Sequence, residues 1–227
     1  TLDYISFTIS SLINSMSIPK PDIVFSTTPH IFIPLGAIVY CFFKRVPHVL
    51  EVRDLWPESI VANTGMIRNS RIYKILEWLE EFIYRYSKNI IVFTESFKSN
   101  ISQRGIDSNK LHVVINGANL EIFSNLKYNE ELADSIGMRD KFVVSYIGTF
   151  GLSHNLSNAI RAASILKEKD IHFLMLGEGA EKNIIQSLAR ELGADNVHFV
   201  DQKPRSELPK YWSLSNIGLV HLKNDPV

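Results

Sequence analysis

The feature that most constrains this chain is an alternation. Short β-branched runs are followed by longer stretches in which apolar residues recur every three to four positions. The short runs fall at residues 22–26, 48–53, 90–94, 112–115, 142–147, 171–176, 197–200 and 217–222. The longer stretches include Ile72, Ile75, Leu76, Leu79, Ile83 and Tyr86, and then Ile184, Ile185, Leu188, Ala189 and Leu192. Strands alternating with helices predict βαβ units around parallel sheets, an α/β fold. Gly193 stands where a left-handed cap would end the second of these helices. Residues 31–43 are almost wholly apolar, but a membrane span needs about 20 residues. The stretch is expected to be a helix packed on a sheet.

The alternation breaks once, between Gly117 and Lys141, where polar residues such as Asn119, Asn125, Asn129 and Asp134 intervene. That break divides the chain into an N-terminal lobe (1–117), a linker (118–141) and a C-terminal lobe (142–227). At 45% hydrophobic over 227 residues there is enough apolar material for a core in each lobe. Lys plus Arg equals Asp plus Glu at 24 each, so no basic field draws the chain to a nucleic-acid backbone. Cys41 has no second cysteine to pair with, which fits a reducing compartment and a cytoplasmic location. With no initiator Met at one end and a strand-like run just before the other, both ends read as cuts, and the second lobe is expected to be truncated.

Three places concentrate chemistry. The segment Gly148-Thr149-Phe150-Gly151-Leu152-Ser153-His154-Asn155 follows an apolar strand and precedes a helix. N–H groups at such a helix start suit an anion. His154 would either contact that anion or bond locally. Gly177-Glu178-Gly179-Ala180-Glu181-Lys182 again joins strand to helix, at the strand end where ligands collect in parallel sheets, though a Gly-x-Gly turn is equally plain turn chemistry. In the first lobe, Glu51-Val52-Arg53-Asp54-Leu55-Trp56-Pro57-Glu58 crowds carboxylates and an arginine at a strand exit. Arg53 stays protonated and can only clamp or orient. Asp54 or Glu58 is suited to orient or deprotonate a hydroxyl. The alternative is a structural pair of Arg53 with Asp54 or Glu51, over a core Trp56. The seven histidines show no H-x-H or H-x-x-x-H spacing and no Asp-x-Asp pair occurs, so no metal or other cofactor is expected. Residues 70–87 carry Tyr73, Trp78, Phe82 and Tyr84 with Arg71, Lys74 and Arg85, a mixture suited to a membrane surface. A core helix with Glu77, Glu80 and Glu81 on its solvated face explains the same residues.

In order along the chain, the run STTPH (26–30), EVRDLWPES (51–59), TES (94–96), NGAN (116–119), GTFGLSHNL (148–156), GEGAEK (177–182) and NVHF (196–199) resemble the family 4 retaining glycosyltransferases of the GT-B fold. The likeness is to their bacterial surface-polysaccharide branch, which includes L-fucosamine transferases. The resemblance implies two Rossmann-like lobes with a reaction cleft between them. It also implies transfer of a sugar, with retention and without metal, from a nucleotide donor such as a UDP-sugar to a saccharide or lipid-linked acceptor. The donor would be held by Gly148, Thr149, Gly151, His154, Gly177, Gly179, Lys182 and Arg205, and the catalytic group would be drawn from Asp54, Arg53 and Glu58. Work in O-antigen or capsule synthesis, with peripheral contact at the inner face of the plasma membrane, follows from the same resemblance. Many relatives place a His-Asp pair where Arg53-Asp54 stands, and the Glu-x7-Glu segment that contacts ribose and sugar is expected beyond Val227. A non-hydrolysing sugar-nucleotide epimerase and a non-catalytic binding fragment are the competing readings.

Overall fold

The computed structural model describes residues 2–28, 30–59, 61, 70–124 and 126–223; Pro29, Asn125 and residues 224–227 of the stretches discussed above lie outside it. The chain divides into two compact units, one up to Gly117 and one from Ala118 onward. Each is a parallel sheet with helices, so the fold is α/β with two lobes of the same kind.

In the first unit, β1 (Val24–Thr27), β2 (His48–Val52), β3 (Asn89–Val92) and β4 (Leu111–Val113) pair in that order, all parallel. The helices are α1 (Leu2–Met16), α2 (Phe32–Lys44), α3 (Arg71–Tyr86) and α4 (Glu95–Gln103). Ser70 and Thr94 cap α3 and α4, their side-chain oxygens accepting from the N–H groups of Tyr73 and Phe97. The core joins Leu50, Val52, Ile90 and Val92 from the strands to Ile38, Ile83 and Ile101 from the helices. Each such side chain, fully removed from water, contributes about 1.5–3 kcal/mol.

One polar thread crosses this core. Ser87 gives its hydroxyl hydrogen to the Ile83 carbonyl (2.7 Å), so its oxygen accepts from Nδ1 of buried His48 (2.9 Å). Nε2 of His48 therefore accepts from the Ser26 hydroxyl (2.7 Å). The ring is neutral, and burial pushes its pKa down to about 4.

In the second unit the order is β7 (Val197–Val200), β6 (Ile171–Leu176), β5 (Phe142–Ile147), β8 (Ile217–Gly218), again all parallel. The helices are α5 (Leu120–Phe123), α6 (Glu130–Ser135), α7 (Ser157–Leu166), α8 (Lys182–Glu191) and α9 (Leu208–Trp212). Gly193, at φ +57°, follows the end of α8, and Ala194 N–H closes on Ala189 O as in a left-handed cap. The stretch 118–141, read from sequence as a linker, carries α5 and α6, and its Met138 is buried with Val143, Leu174 and Leu176.

Two expectations about helices need correction. The apolar positions of α3 do not all face the core: Ile72, Ile75 and Tyr86 are exposed, while Tyr73, Glu80, Ile83 and Tyr84 are buried. Glu80 is thus on the packed face, not the solvated one. The apolar stretch 31–43 is only partly a buried helix, because Val39, Phe42 and Phe43 are exposed. Among the described residues no helix is long and apolar enough to cross a membrane.

Candidate functional site

At the carboxyl end of β2 the chain turns through Arg53 and Asp54. The Thr28 hydroxyl oxygen accepts from Arg53 N–H (2.8 Å) and, at longer range, Asp54 N–H (3.4 Å). Thr28 itself continues the ladder by donating its N–H to the Glu51 carbonyl (2.9 Å). The Glu51 carboxylate accepts from the Thr27 hydroxyl (2.7 Å). Among the described residues Arg53 forms no ion pair with Glu51 or Asp54, so the structural pairing weighed from sequence is absent. Arg53 is exposed and Asp54 half-buried, which leaves both side chains open to a ligand. His30, in the loop after β1, meets Trp56 edge-on at 6.0 Å.

Glu58 is positioned differently from Asp54. One carboxylate oxygen accepts from the Tyr73 hydroxyl (3.2 Å), and the other is buried with no hydrogen-bond partner among the described residues. Below the loop lies a network that the sequence reading missed. Buried Glu80 accepts from Trp56 N–H (2.8 Å), from the Tyr84 hydroxyl (2.5 Å) and from Arg104 (2.5 Å). Burial pushes the Glu80 carboxyl up to about 7, against the opposing pull of Arg104, Tyr84 and Trp56. The signal available in the sequence was the i, i+4 spacing of Glu80 and Tyr84, which puts both on one helix face.

In the second unit the loops after β5 and β6 are laced together by backbone. Gly148 N–H donates to Leu176 O (3.0 Å), Phe150 N–H to Glu178 O (2.8 Å) and Glu181 N–H to Phe150 O (2.9 Å). The N–H groups of Gly148 and Phe150 are spent on this lacing and are not free for an anion. Among the described residues, those of Thr149 and Gly151 have no acceptor. The same lacing explains Gly177 and Gly179. A Cβ on Gly177 would lie 1.9 Å from Gly148 O, and one on Gly179 would lie 2.4 Å from Phe150 O, both at strongly positive φ. These glycines serve loop-to-loop packing.

His154 is not at the start of α7, which begins at Ser157, but at the end of a short 3-10 turn, Leu152–His154. Its carbonyl accepts from Nδ1 of His221 (2.6 Å), and its own Nδ1 lies 3.4 Å from the His221 carbonyl. With Nδ1 carrying hydrogen toward that carbonyl, Nε2 donates to an anion only as imidazolium.

Lys182, expected at the donor diphosphate, is already engaged: its ammonium pairs with the Glu178 carboxylate and with Asp201 (2.7 Å), and both bonds raise its pKa. Arg205 sits exposed in the turn before α9. A cavity of about 210 Å³ opens at the carboxyl ends of β5 and β6, lined by Gly148, Thr149, Gly177, Glu178, Gln202 and Lys203 among others. Neither Lys182 nor Arg205 lines it; Lys203 does. Lys203 follows β7 by three residues, and the rule that ligands gather at strand carboxyl ends would have found it. A larger hollow of about 550 Å³ lies among α1, α2 and β1, with walls such as Phe7, Leu12, Phe25 and Tyr40. It has no charged side chain to orient a polar substrate, so the smaller cavity is the better place for chemistry. No group of three or more metal-ligating side chains occurs among the described residues.

Comparison with known proteins bears on the fold and the family. The profile described as Glycosyl transferases group 1 matches residues 128–225. The chain is 22% identical over 176 residues to the probable glycosyltransferase WbjE of Pseudomonas aeruginosa, covering 77% of this chain and 44% of that protein. It is 20% identical over 222 residues to the putative colanic acid biosynthesis glycosyl transferase WcaI of Escherichia coli K12, covering 95% and 54%. The chain therefore spans about half the length of these relatives. Among solved structures, Anabaena HepE in complex with UDP superimposes with a TM-score of 0.72 at 13% identity, over 93% of this chain and 55% of that one, which supports the GT-B fold. The profile described as Glycosyltransferase Family 4 matches residues 4–122, more than half of the chain, and the chain belongs to that family.

Proposed function

We propose that this chain works in a glycosyltransferase of bacterial polysaccharide biosynthesis, moving a sugar from a UDP-linked donor to a saccharide or lipid-linked acceptor with retention and without a metal. The first unit holds the acceptor and the second the donor, at the cytoplasmic face of the membrane. The observation that carries this reading is the 210 Å³ cavity at the ends of β5 and β6, which brings Thr149, whose N–H has no acceptor among the described residues, together with Lys203, which forms no ion pair among them; Gly151, with its N–H likewise unspent, follows two residues after Thr149. HepE, similar in fold, has been solved with UDP and with UDP-glucose. WcaI, similar in sequence, is described as acting in colanic acid biosynthesis.

In this reading the bond between the anomeric carbon and the diphosphate oxygen breaks, and the departing diphosphate gains negative charge. Thr149 and Gly151 N–H groups and the Lys203 ammonium stabilise that charge more in the transition state than in the ground state. His154, when protonated, adds a further donor. Asp54 orients the acceptor hydroxyl, and the proton passes either to Asp54 or to the leaving phosphate; Arg53 holds an anionic part of the acceptor. Glu58, bonded to Tyr73, supports the loop. Calorimetric titration with UDP is the test: saturable heat that Lys203→Ala weakens is expected, and an absence of heat with UDP overturns the reading.

A further inference from the structure

The loop after β5 has one side-chain tie among its backbone ones. Tyr146, the last residue but one of β5, is buried in the core of the second unit with Phe150, Leu156 and Ile160. Its ring centre lies 6.0 Å from that of Phe150 and, edge-on, 6.0 Å from that of His154. A phenylalanine ring would fill the same space, so apolar packing does not account for the hydroxyl. A buried tyrosine hydroxyl needs a partner of its own. Here it donates to the Thr149 carbonyl (2.8 Å). Burial pushes the phenol pKa up, so the group stays a donor at any working pH.

That bond completes the anchoring of one peptide unit. In a trans peptide the C=O and N–H point in opposite directions. The unit joining Thr149 to Phe150 has its C=O on Tyr146 and its N–H on the Glu178 carbonyl (2.8 Å), so its plane is held at both ends. The unit before it, Gly148 to Thr149, is held at its carbonyl only by packing: a Cβ on Gly177 would come within 1.9 Å of Gly148 O. Its N–H, that of Thr149, is the one without an acceptor among the described residues. The two planes meet at the Thr149 Cα. If the second plane is loose, the dihedral angles of Thr149 are no longer set from both sides, and its N–H can turn. Gly148 leaves the phenol room to reach the carbonyl, since a Cβ there would already lie 3.3 Å from the hydroxyl oxygen.

We propose that Tyr146 is a positioning residue of the sugar-nucleotide site: its hydroxyl, by holding the Thr149 carbonyl, fixes the direction in which Thr149 N–H meets the diphosphate. Thr149 lines the cavity and Tyr146 does not, so the phenol acts through the loop and not on the ligand. The proposal rests on the reading of this cavity as the place of the nucleotide sugar, and goes beyond it by assigning a role to a core residue behind the cavity wall. The same ring stands edge-on to His154, so one side chain backs both Thr149 and the histidine assigned to the same diphosphate.

The test is Tyr146→Phe, which removes one oxygen and keeps the ring in the core. The first measurement uses no ligand: amide hydrogen exchange followed by NMR. Exchange at Phe150 N–H should quicken about threefold to tenfold, the worth of one hydrogen bond, while amides of β6 such as Leu174 keep their rates. The second is titration of both proteins with UDP and with uridine, followed by the same NMR signals. UDP should weaken about threefold to tenfold, and uridine, which lacks the diphosphate, should bind both proteins alike. A merely structural role would weaken the two ligands together. Unaltered exchange at Phe150 overturns the proposal, and so does equal weakening of UDP and uridine. Wild-type protein that binds UDP no better than the variant overturns the positioning role alone. Wild-type protein that binds no UDP overturns the reading of the cavity, and this role with it.

Discussion

The two units place a loop at the same point of the same kind of sheet, the carboxyl end of an inner strand, and hold it by different means. In the first unit the loop from Arg53 to Glu58 rests on side chains: Thr28 caps its start and Glu80 grips Trp56 N–H from below. In the second, the loop from Gly148 to Gly151 is held almost entirely by backbone, laced to the Gly177–Gly179 turn with no room for a Cβ between them. A side-chain support tolerates variation of the loop it carries, because only the support must persist. A backbone lacing fixes the loop's path and leaves no room for a Cβ at Gly177 or Gly179. Under the proposed function, a variable acceptor would suit the first arrangement and a constant diphosphate the second.

The largest effect expected from breaking this contrast is in the second unit. Gly177→Ala or Gly179→Ala should destabilise it by about 4 kcal/mol or more, since a Cβ within 2.4 Å of a backbone carbonyl forces the lacing apart at a φ that also disfavours alanine. Thermal unfolding with a separate transition for each unit would show it, and an unchanged transition would mean the loops can part without cost. Next comes Glu80→Ala in the first unit, expected to cost about 3–4 kcal/mol because Arg104 loses its counter-charge in a buried site. Glu80→Gln should recover part of this by keeping a partner for Trp56 N–H.

The third effect is on pH dependence and is confined to the first unit. His48 has its folded pKa depressed to about 4 from an unfolded value of 6.5. Its stabilising contribution is therefore full above pH 6.5 and is lost as pH falls toward 4, about 3 kcal/mol in all. Glu80 works the other way: its folded pKa is raised to about 7, so its contribution is lost as pH rises through 4.5 to 7. The two offset each other in the wild type, and the stability profile should be shallow. Urea unfolding of wild type and His48→Gln at pH 7 and pH 4.5 separates them. The wild type's advantage over the variant should shrink by up to about 3 kcal/mol on acidification; a constant difference would mean His48 is not held neutral.

Why the strands were legible and the supports were not follows from what hydrophobic pattern reports. β5, β6 and β7 fall on the predicted runs because a buried parallel strand is a short continuous apolar stretch. The orientation of α3 was misjudged because the pattern ranks Ile72 and Ile75 above Glu80 for the core. Burial of Glu80 depends on Arg104, in the next helical segment, and on an N–H of the β2 loop, neither of which is local in sequence. The engagement of Lys182 was not legible for a similar reason. Its neighbour Glu178 was visible, but Asp201 arrives from the far side of β7 and completes the neutralisation. At Gly177 and Gly179 the structure adds a reason for glycine that the sequence did not give, since a Cβ there would clash with the backbone of the neighbouring loop.

The smallest effects concern ligand binding and sharpen the comparison without disturbing either fold. If the backbone lacing exists to aim the remaining N–H groups, Gly151 is the position to probe. Its backbone is extended, at φ −102° and ψ 159°, and a Cβ there would meet nothing closer than a His154 carbon at 3.4 Å. Gly151→Ala should leave thermal stability within about 0.5 kcal/mol of wild type and still weaken UDP by a few-fold, by crowding the N–H that the proposed function assigns to the diphosphate. Lys203→Ala should weaken UDP about tenfold, the worth of one charge-assisted contact. Lys182→Ala should change UDP affinity less than Lys203→Ala, because two carboxylates already hold its charge. In the first unit, Asp54→Asn should leave UDP affinity intact and depress transfer to the acceptor. Titration calorimetry on the four variants ranks them. Were Lys182→Ala to lose more affinity than Lys203→Ala, the diphosphate would have to displace the Glu178 and Asp201 pairing, and the donor site would lie on the α8 side of the Gly177–Gly179 turn instead of in the cavity beside Lys203.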